Sequence, residues 1–121
     1  MAVTVTNQSN PLAAKLVQDT AATNTAVENS TGASGTLFMV EINNTGFGAV
    51  VYFKLANATS ATAGTTAADL VLMCPASTKR SYVFPEGIAF GNGFSHWCVT
   101  TAAESSTTAP GTPPTVRYVT S

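Results

Sequence analysis

Thr36-Leu37-Phe38-Met39-Val40-Glu41-Ile42-Asn43, followed by Asn44-Thr45-Gly46-Phe47-Gly48 and then Ala49 to Ala58, is the stretch that decides the fold. Its first segment alternates in steps of two, with Phe38, Val40 and Ile42 on one face and Leu37, Met39 and Glu41 on the other. That period belongs to a half-buried strand, not a helix. The charged Glu41 assigns the second face to solvent or to an interface. The Asn- and Gly-rich segment tolerates positive φ and reads as a hairpin connection. Ala49 to Ala58 is then the return strand, with Val51, Phe53 and Leu55 directed to the core and Tyr52 and Lys54 directed outward.

The same punctuation recurs outward from this pair. A polar loop, Thr59 to Thr66, leads into a strand over Asp69 to Cys74 that Pro75 ends. Arg80 to Phe84 forms another strand, and Pro85-Glu86-Gly87 predicts a tight reversal that returns Ile88 and Phe90 to the core. Gly91-Asn92-Gly93 is a turn before a clear strand over Phe94 to Thr101. Ala102 to Pro114 is a long Ser/Thr/Pro loop, and Thr115 to Thr120 closes the sheet. Toward the N-terminus, Val3 to Thr6 reads as a short strand and Leu12 to Gln18 as a strand or one helical turn. Asp19 to Ser34 reads as a loop or arm with a weak strand around Ala26 to Asn29. Seven or eight short strands at this spacing predict an all-β fold, a single antiparallel β-sandwich for which the jelly roll is one topology. Residues 1–34 form an arm with weak strands, packing on the domain or on a partner, and residues 35–121 form the sandwich.

Composition narrows the function. The 121 residues suit one domain. Only 9% are charged, against about 25% in ordinary soluble domains. Thr, Ala, Ser, Gly and Asn take the places of Lys and Glu, giving a polar, weakly charged surface that costs little to desolvate. Such a surface suits a subunit covered by its neighbours, or alternatively a secreted Thr-rich domain. The net charge of −1, with adjacent basic residues only at Lys79 and Arg80, supplies no footprint for nucleic acid. MAVTVTNQSN has neither the positive nor the apolar region of a signal peptide, and no apolar run is long enough to span a bilayer. Synthesis and assembly in a cytoplasm are therefore expected. In that compartment Cys74 and Cys98 are expected as buried thiols, with one disulfide between adjacent strands as the alternative.

The residues predict no catalytic, cofactor-binding or metal site. His96 is the only histidine and alternates with Phe94 and Cys98, as a packed or interface histidine would. Cys98 shares its face, but no third group that orients such a pair is visible. Two cysteines and one histidine fall short of a zinc site. Asp19, Glu28, Glu41, Asp69, Glu86 and Glu104 show no paired spacing, and no calcium or phosphate loop is present. The Asn-x-Ser/Thr triplets at Asn7, Asn29, Asn43 and Asn57 arise by chance in a Thr-rich chain. Trp97, Tyr52, Tyr82, Tyr118 and Phe94 are candidates for a sugar platform, although Trp97 in mid-strand is placed for core packing.

Tyr52 to Ala58, Gly64 to Leu72, Phe84 to Phe90 and Gly93-Phe94-Ser95 together resemble a pattern in small virion proteins of tailed bacteriophages. These include capsid decoration (cement) proteins and domains of tail components. The resemblance spans Val51 to Thr120. It implies a structural protein on the capsid exterior that bridges capsomers, with the major capsid protein as partner and a homo-oligomer such as a trimer as its form. Tail, baseplate or fibre component is the alternative it allows, and a carbohydrate-binding module is a further reading from a different class. The arm and the loops Thr59 to Thr66 and Ala102 to Pro114 are the contacts expected from exposure.

Overall fold

The computed structural model describes residues 2–7 and 15–121. Eight strands follow in order: β1 (Val3–Asn7), β2 (Lys15–Asp19), β3 (Gly35–Asn43), β4 (Val51–Ala56), β5 (Leu70–Cys74), β6 (Lys79–Phe90), β7 (Ser95–Val99) and β8 (Thr115–Thr120). They form two antiparallel sheets, β1-β2-β8-β3-β6 and β5-β4-β7, packed as a sandwich. The all-β class and the antiparallel sandwich are as the sequence predicts. Of the predicted segment Leu12 to Gln18, residues 12–14 lie outside the described residues and the remainder is strand β2. The 1–34 segment contributes β1 and β2 to the larger sheet, and Val17 and Ala22 to the core.

The core fills the space between the sheets. Leu37, Val40 and Ile42 of β3, Phe53 and Leu55 of β4, and Val116 and Tyr118 of β8 are fully buried there with Phe90 and Phe94. Period-two alternation produces this directly, since every second side chain of a strand points to one face. A second, smaller cluster lies on the outside of the three-stranded sheet. Trp97, Val99, Ala56 and Ala61 pack there under the loops, with Tyr52 and Ala68 beside them.

Three sequence expectations are corrected. β3 and β4 do not form a hairpin: β3 pairs with β6 and β8, whereas β4 pairs with β5 and β7. Their connection arches from one sheet to the other. Asn44 holds the arch, its side-chain amide donating to the carbonyls of Ala49 (2.9 Å) and Pro75 (3.0 Å). Two strands that each bury one face meet equally well across a core as side by side, and alternation does not distinguish the two.

Second, Pro85-Glu86-Gly87 does not reverse the chain. β6 runs unbroken from Lys79 to Phe90, and its register steps from Val83↔Met39 to Ile88↔Leu37. Residues 84–87 thus stand opposite Phe38 alone, a wide bulge in the edge strand. Gly87 sits at φ +77°, where a Cβ would collide with the Thr36 side chain. Third, the bulge shifts the facing of β3, so that Leu37, expected on the outer face with Glu41, enters the core and Phe38, expected beside Val40 and Ile42, turns out of it.

Lys54 faces away from the core, as its alternation predicts, but is not exposed. It is buried beneath the loop after β7, and its ammonium donates to the Ala103 carbonyl at 2.6 Å. Burial lowers its pKa, an effect opposed by Glu104.

Candidate functional site

His96 sits at the centre of the sandwich with no exposed surface. Its strand is held by β4 on one side and by the segment after β2 on the other, through a bridge to Val27. The weak strand expected around Ala26 to Asn29 is this bridge. His96 Nε2 lies 2.9 Å from Asp19 Oδ2, and Nδ1 lies 2.8 Å from the Tyr118 hydroxyl. Tyr118 also shares a hydrogen bond with the Ser30 hydroxyl. A neutral imidazole satisfies every member: Ser30 donates to Tyr118, Tyr118 donates to Nδ1, and Nε2 donates to the Asp19 carboxylate. Asp19 Oδ1 accepts the Ala21 amide at 3.0 Å.

The sequence places Asp19 at the start of a loop and shows no group to orient His96. In the structure Asp19 ends β2 and provides that group. Cys98 shares the core face with His96, but the imidazole nitrogens are taken by Asp19 and Tyr118. An acid–histidine–hydroxyl chain of this type is catalytic only where a substrate reaches it. His96 and Tyr118 are fully buried and Asp19 is 1% exposed, so the chain cross-links β2, β7 and β8. Among the described residues, no three His, Cys, Asp or Glu side chains lie close enough to hold a metal ion.

Both cysteines are buried free thiols. They lie on β5 and β7, with β4 between them. Burial pushes the Cys98 thiol up from 9.0 to about 12, with Asp19 and Cys74 adding to the effect. Burial also raises Cys74 and the Tyr118 phenol. These groups stay protonated in the fold while the unfolded chain ionises, so their stabilisation is complete below about pH 9 and is lost as pH rises toward about 12. Cys98 alone accounts for up to about 4 kcal/mol over that window. Lys54 has the opposite sign, because below pH 10.5 the unfolded chain holds the extra proton. The large shift of Cys98 sets the direction of the net effect. The urea midpoint is therefore expected to fall steadily between pH 9 and 11, and Cys98→Ala is expected to flatten that fall. A midpoint independent of pH to 11 would mean that solvent reaches these groups.

The two faces of the sandwich differ. Outside the three-stranded sheet, the loop after β7 folds back over β4 and β7, while Val71 and Met73 of β5 stay exposed. Thr100 donates to Thr108, Lys54 to Ala103, and the Asn24 side chain to Thr107. The loops expected to contact a partner thus lie over the second cluster, although residues 101–105 remain exposed.

The outside of the five-stranded sheet carries no such cover among the described residues. Strand register aligns Leu16, Val119, Met39 and Val83 in one row across β2, β8, β3 and β6. Val83, at 65% exposure, is the most open large apolar side chain among the described residues. Because the bulge turns Phe38 outward, Phe38, Met39, Val119, Val83, Phe84 and Pro85 line an apolar groove of about 260 Å³. The neighbouring row is polar: Gln18, Arg117, Glu41 and Ser81, with Lys79 3.6 Å from Glu41. An apolar strip bordered by polar residues is the usual form of an interaction surface. Sequence reasoning missed it because Phe38 was assigned to the core. The legible signal is Met39 and Val119, apolar residues at solvent-phase positions of their strands.

The candidate sugar platform does not assemble. Trp97, Tyr118 and Phe94 are buried, Tyr52 packs on the second cluster, and the Tyr82 hydroxyl donates to the Met73 carbonyl. No known family, curated protein or solved structure matches this chain.

Proposed function

We propose that this chain is a structural subunit of a phage particle, seated as a decoration protein on the outside of the head. There it contacts the major capsid protein, bridges neighbouring capsomers and works by burying surface, without chemistry. The observation that carries the reading is the apolar row Leu16–Val119–Met39–Val83 with its groove, on a sheet face over which no loop folds among the described residues. The weak surface charge supports it, since few ions need to be stripped of water on docking. The resemblance of Val51 to Thr120 to small virion proteins supplies the particle. Weak contacts of this size become firm when oligomerisation links several copies, each engaging its own site on the head.

The test is location. Antibody-gold labelling of purified particles, with particle proteomics, is expected to place the protein over the head surface. Gold confined to the tail would transfer the reading to a tail component, and absence from particles would overturn it.

A further inference from the structure

The two sheets have four edges, and three of them carry a device that stops further pairing. The outer side of β7 is covered by residues 23–30, through hydrogen bonds that join Cys98 to Thr23, His96 to Val27 and Ser30 to Phe94. The Tyr82 hydroxyl occupies the Met73 carbonyl on β5. β6 carries the bulge, Pro85 and the charges of Lys79, Arg80 and Glu86, all features that blunt an edge. β1 has none of these. Val3-Thr4-Val5-Thr6-Asn7 is uncharged, free of Pro and Gly, and rich in β-branched residues. Among the described residues it pairs with β2 alone.

Register decides what this edge presents. Thr20 donates to the Ala2 carbonyl at 3.0 Å, and Val3 lies opposite Asp19. In an antiparallel ladder the bonding side alternates, so Ala2, Thr4 and Thr6 bond to β2. The amides and carbonyls of Val3, Val5 and Asn7 therefore point away from the sheet. Val5 also lies in the core-facing row with Val17 and Tyr118, yet it is 42% exposed at the open margin of the sandwich.

We infer that β1 is a self-association edge, and that a second copy of this chain pairs with it antiparallel about a two-fold axis at Val5. The segment is its own complement in that register. Val5 meets the partner's Val5, Val3 meets the partner's Asn7, and Thr4 meets the partner's Thr6. Every outward amide then finds an outward carbonyl, no like charges meet, and the larger sheet runs on into the next copy. The contact is isologous, so assemblies built through it grow in pairs. One short strand buries well under the about 800 Å² per partner of a stable complex, so dimerisation requires concentration or a lattice. The inference concerns the chain in solution and does not depend on its having a place on a phage particle.

Sedimentation of the full chain from about 1 μM to about 1 mM tests it. The expected result is a mass rising from 12.4 kDa toward twice that value. Val5→Pro removes an outward amide that the monomer does not use, and is expected to weaken the dimer at least about 10-fold. Val5→Lys places two charges face to face on the axis and is expected to do the same, with circular dichroism confirming the fold of each. Val5→Cys is expected to cross-link two copies on mild oxidation, since opposed residues lie about 5.5 Å apart between Cα atoms. Val83→Cys, on the open sheet face, is expected not to cross-link under the same oxidation. A chain that remains monomeric throughout, a dimer untouched by both Val5→Pro and Val5→Lys, or cross-linking through Val83→Cys instead would overturn the inference.

Discussion

Asp19→Ala is expected to destabilise the fold by about 3–5 kcal/mol, a large share of the about 5–15 kcal/mol that holds a domain of this size. The reason is what the substitution leaves behind. His96 has no exposed surface, and among the described residues its Nε2 has Asp19 as its one hydrogen-bond partner, at 2.9 Å. Without the carboxylate, a buried N–H and the Ala21 amide both lose their acceptor, and an unmade buried hydrogen bond costs more than a made one contributes. Asp19→Asn keeps an oxygen for Nε2 and is expected to cost about 1–2 kcal/mol. Tyr118→Phe breaks the chain at its other end, leaving His96 Nδ1 and Ser30 without the shared hydroxyl, and is expected to fall between the two. Urea unfolding of the three variants at pH 7 checks the order. An Asp19→Ala variant within about 1 kcal/mol of the parent would mean that water reaches His96 and that the chain of bonds is not what ties β2 to β7 and β8.

The strands themselves were legible because period-two alternation is written locally. Val51, Phe53 and Leu55 enter the core as their spacing requires, and Pro75 stops β5 where the missing amide demands it. Pairing was not legible. Asn43 to Gly48 carries the residues of a turn, but the arch it forms is fixed by the Asn44 side chain reaching Pro75, which lies 31 positions away. The Pro85-Glu86-Gly87 segment signals an irregular backbone in either reading. Only the opposing strand decides between reversal and bulge, and β3 takes the bulge by turning Phe38 outward. Asp19 and His96 are separated by 77 positions. Nothing near either residue announces the other, so the buried chain of hydrogen bonds needs the tertiary fold. Lys54 alternates outward as expected, and only the loop after β7 decides that outward is not solvent.

On a particle, the largest effect is expected from charging the open sheet face. Fully burying a side chain such as Val, Leu or Met is worth about 1.5–3 kcal/mol. Leu16, Val119, Met39 and Val83 are already partly covered, so docking gains a few kcal/mol from the row as a whole. Val83→Asp removes the most exposed member and replaces it with a carboxylate that docking would strip of water without a partner. The loss is expected to reach about 3 kcal/mol, or at least about 100-fold in affinity per site. The fold should tolerate the change, because Val83 lies on an edge strand and β-propensity spans only about 1 kcal/mol. Thr101→Asp, in the loop over the opposite face, is exposed and outside the row, and is expected to bind like the parent.

Co-sedimentation of the purified chain with phage particles stripped of it, followed by counting bound copies per particle, tests the central claim most directly. The account predicts saturable binding by the parent and by Thr101→Asp, and loss of binding by a folded Val83→Asp. Equal binding by Val83→Asp would contradict it, because the outer row of the five-stranded sheet would then not be the surface by which this protein attaches.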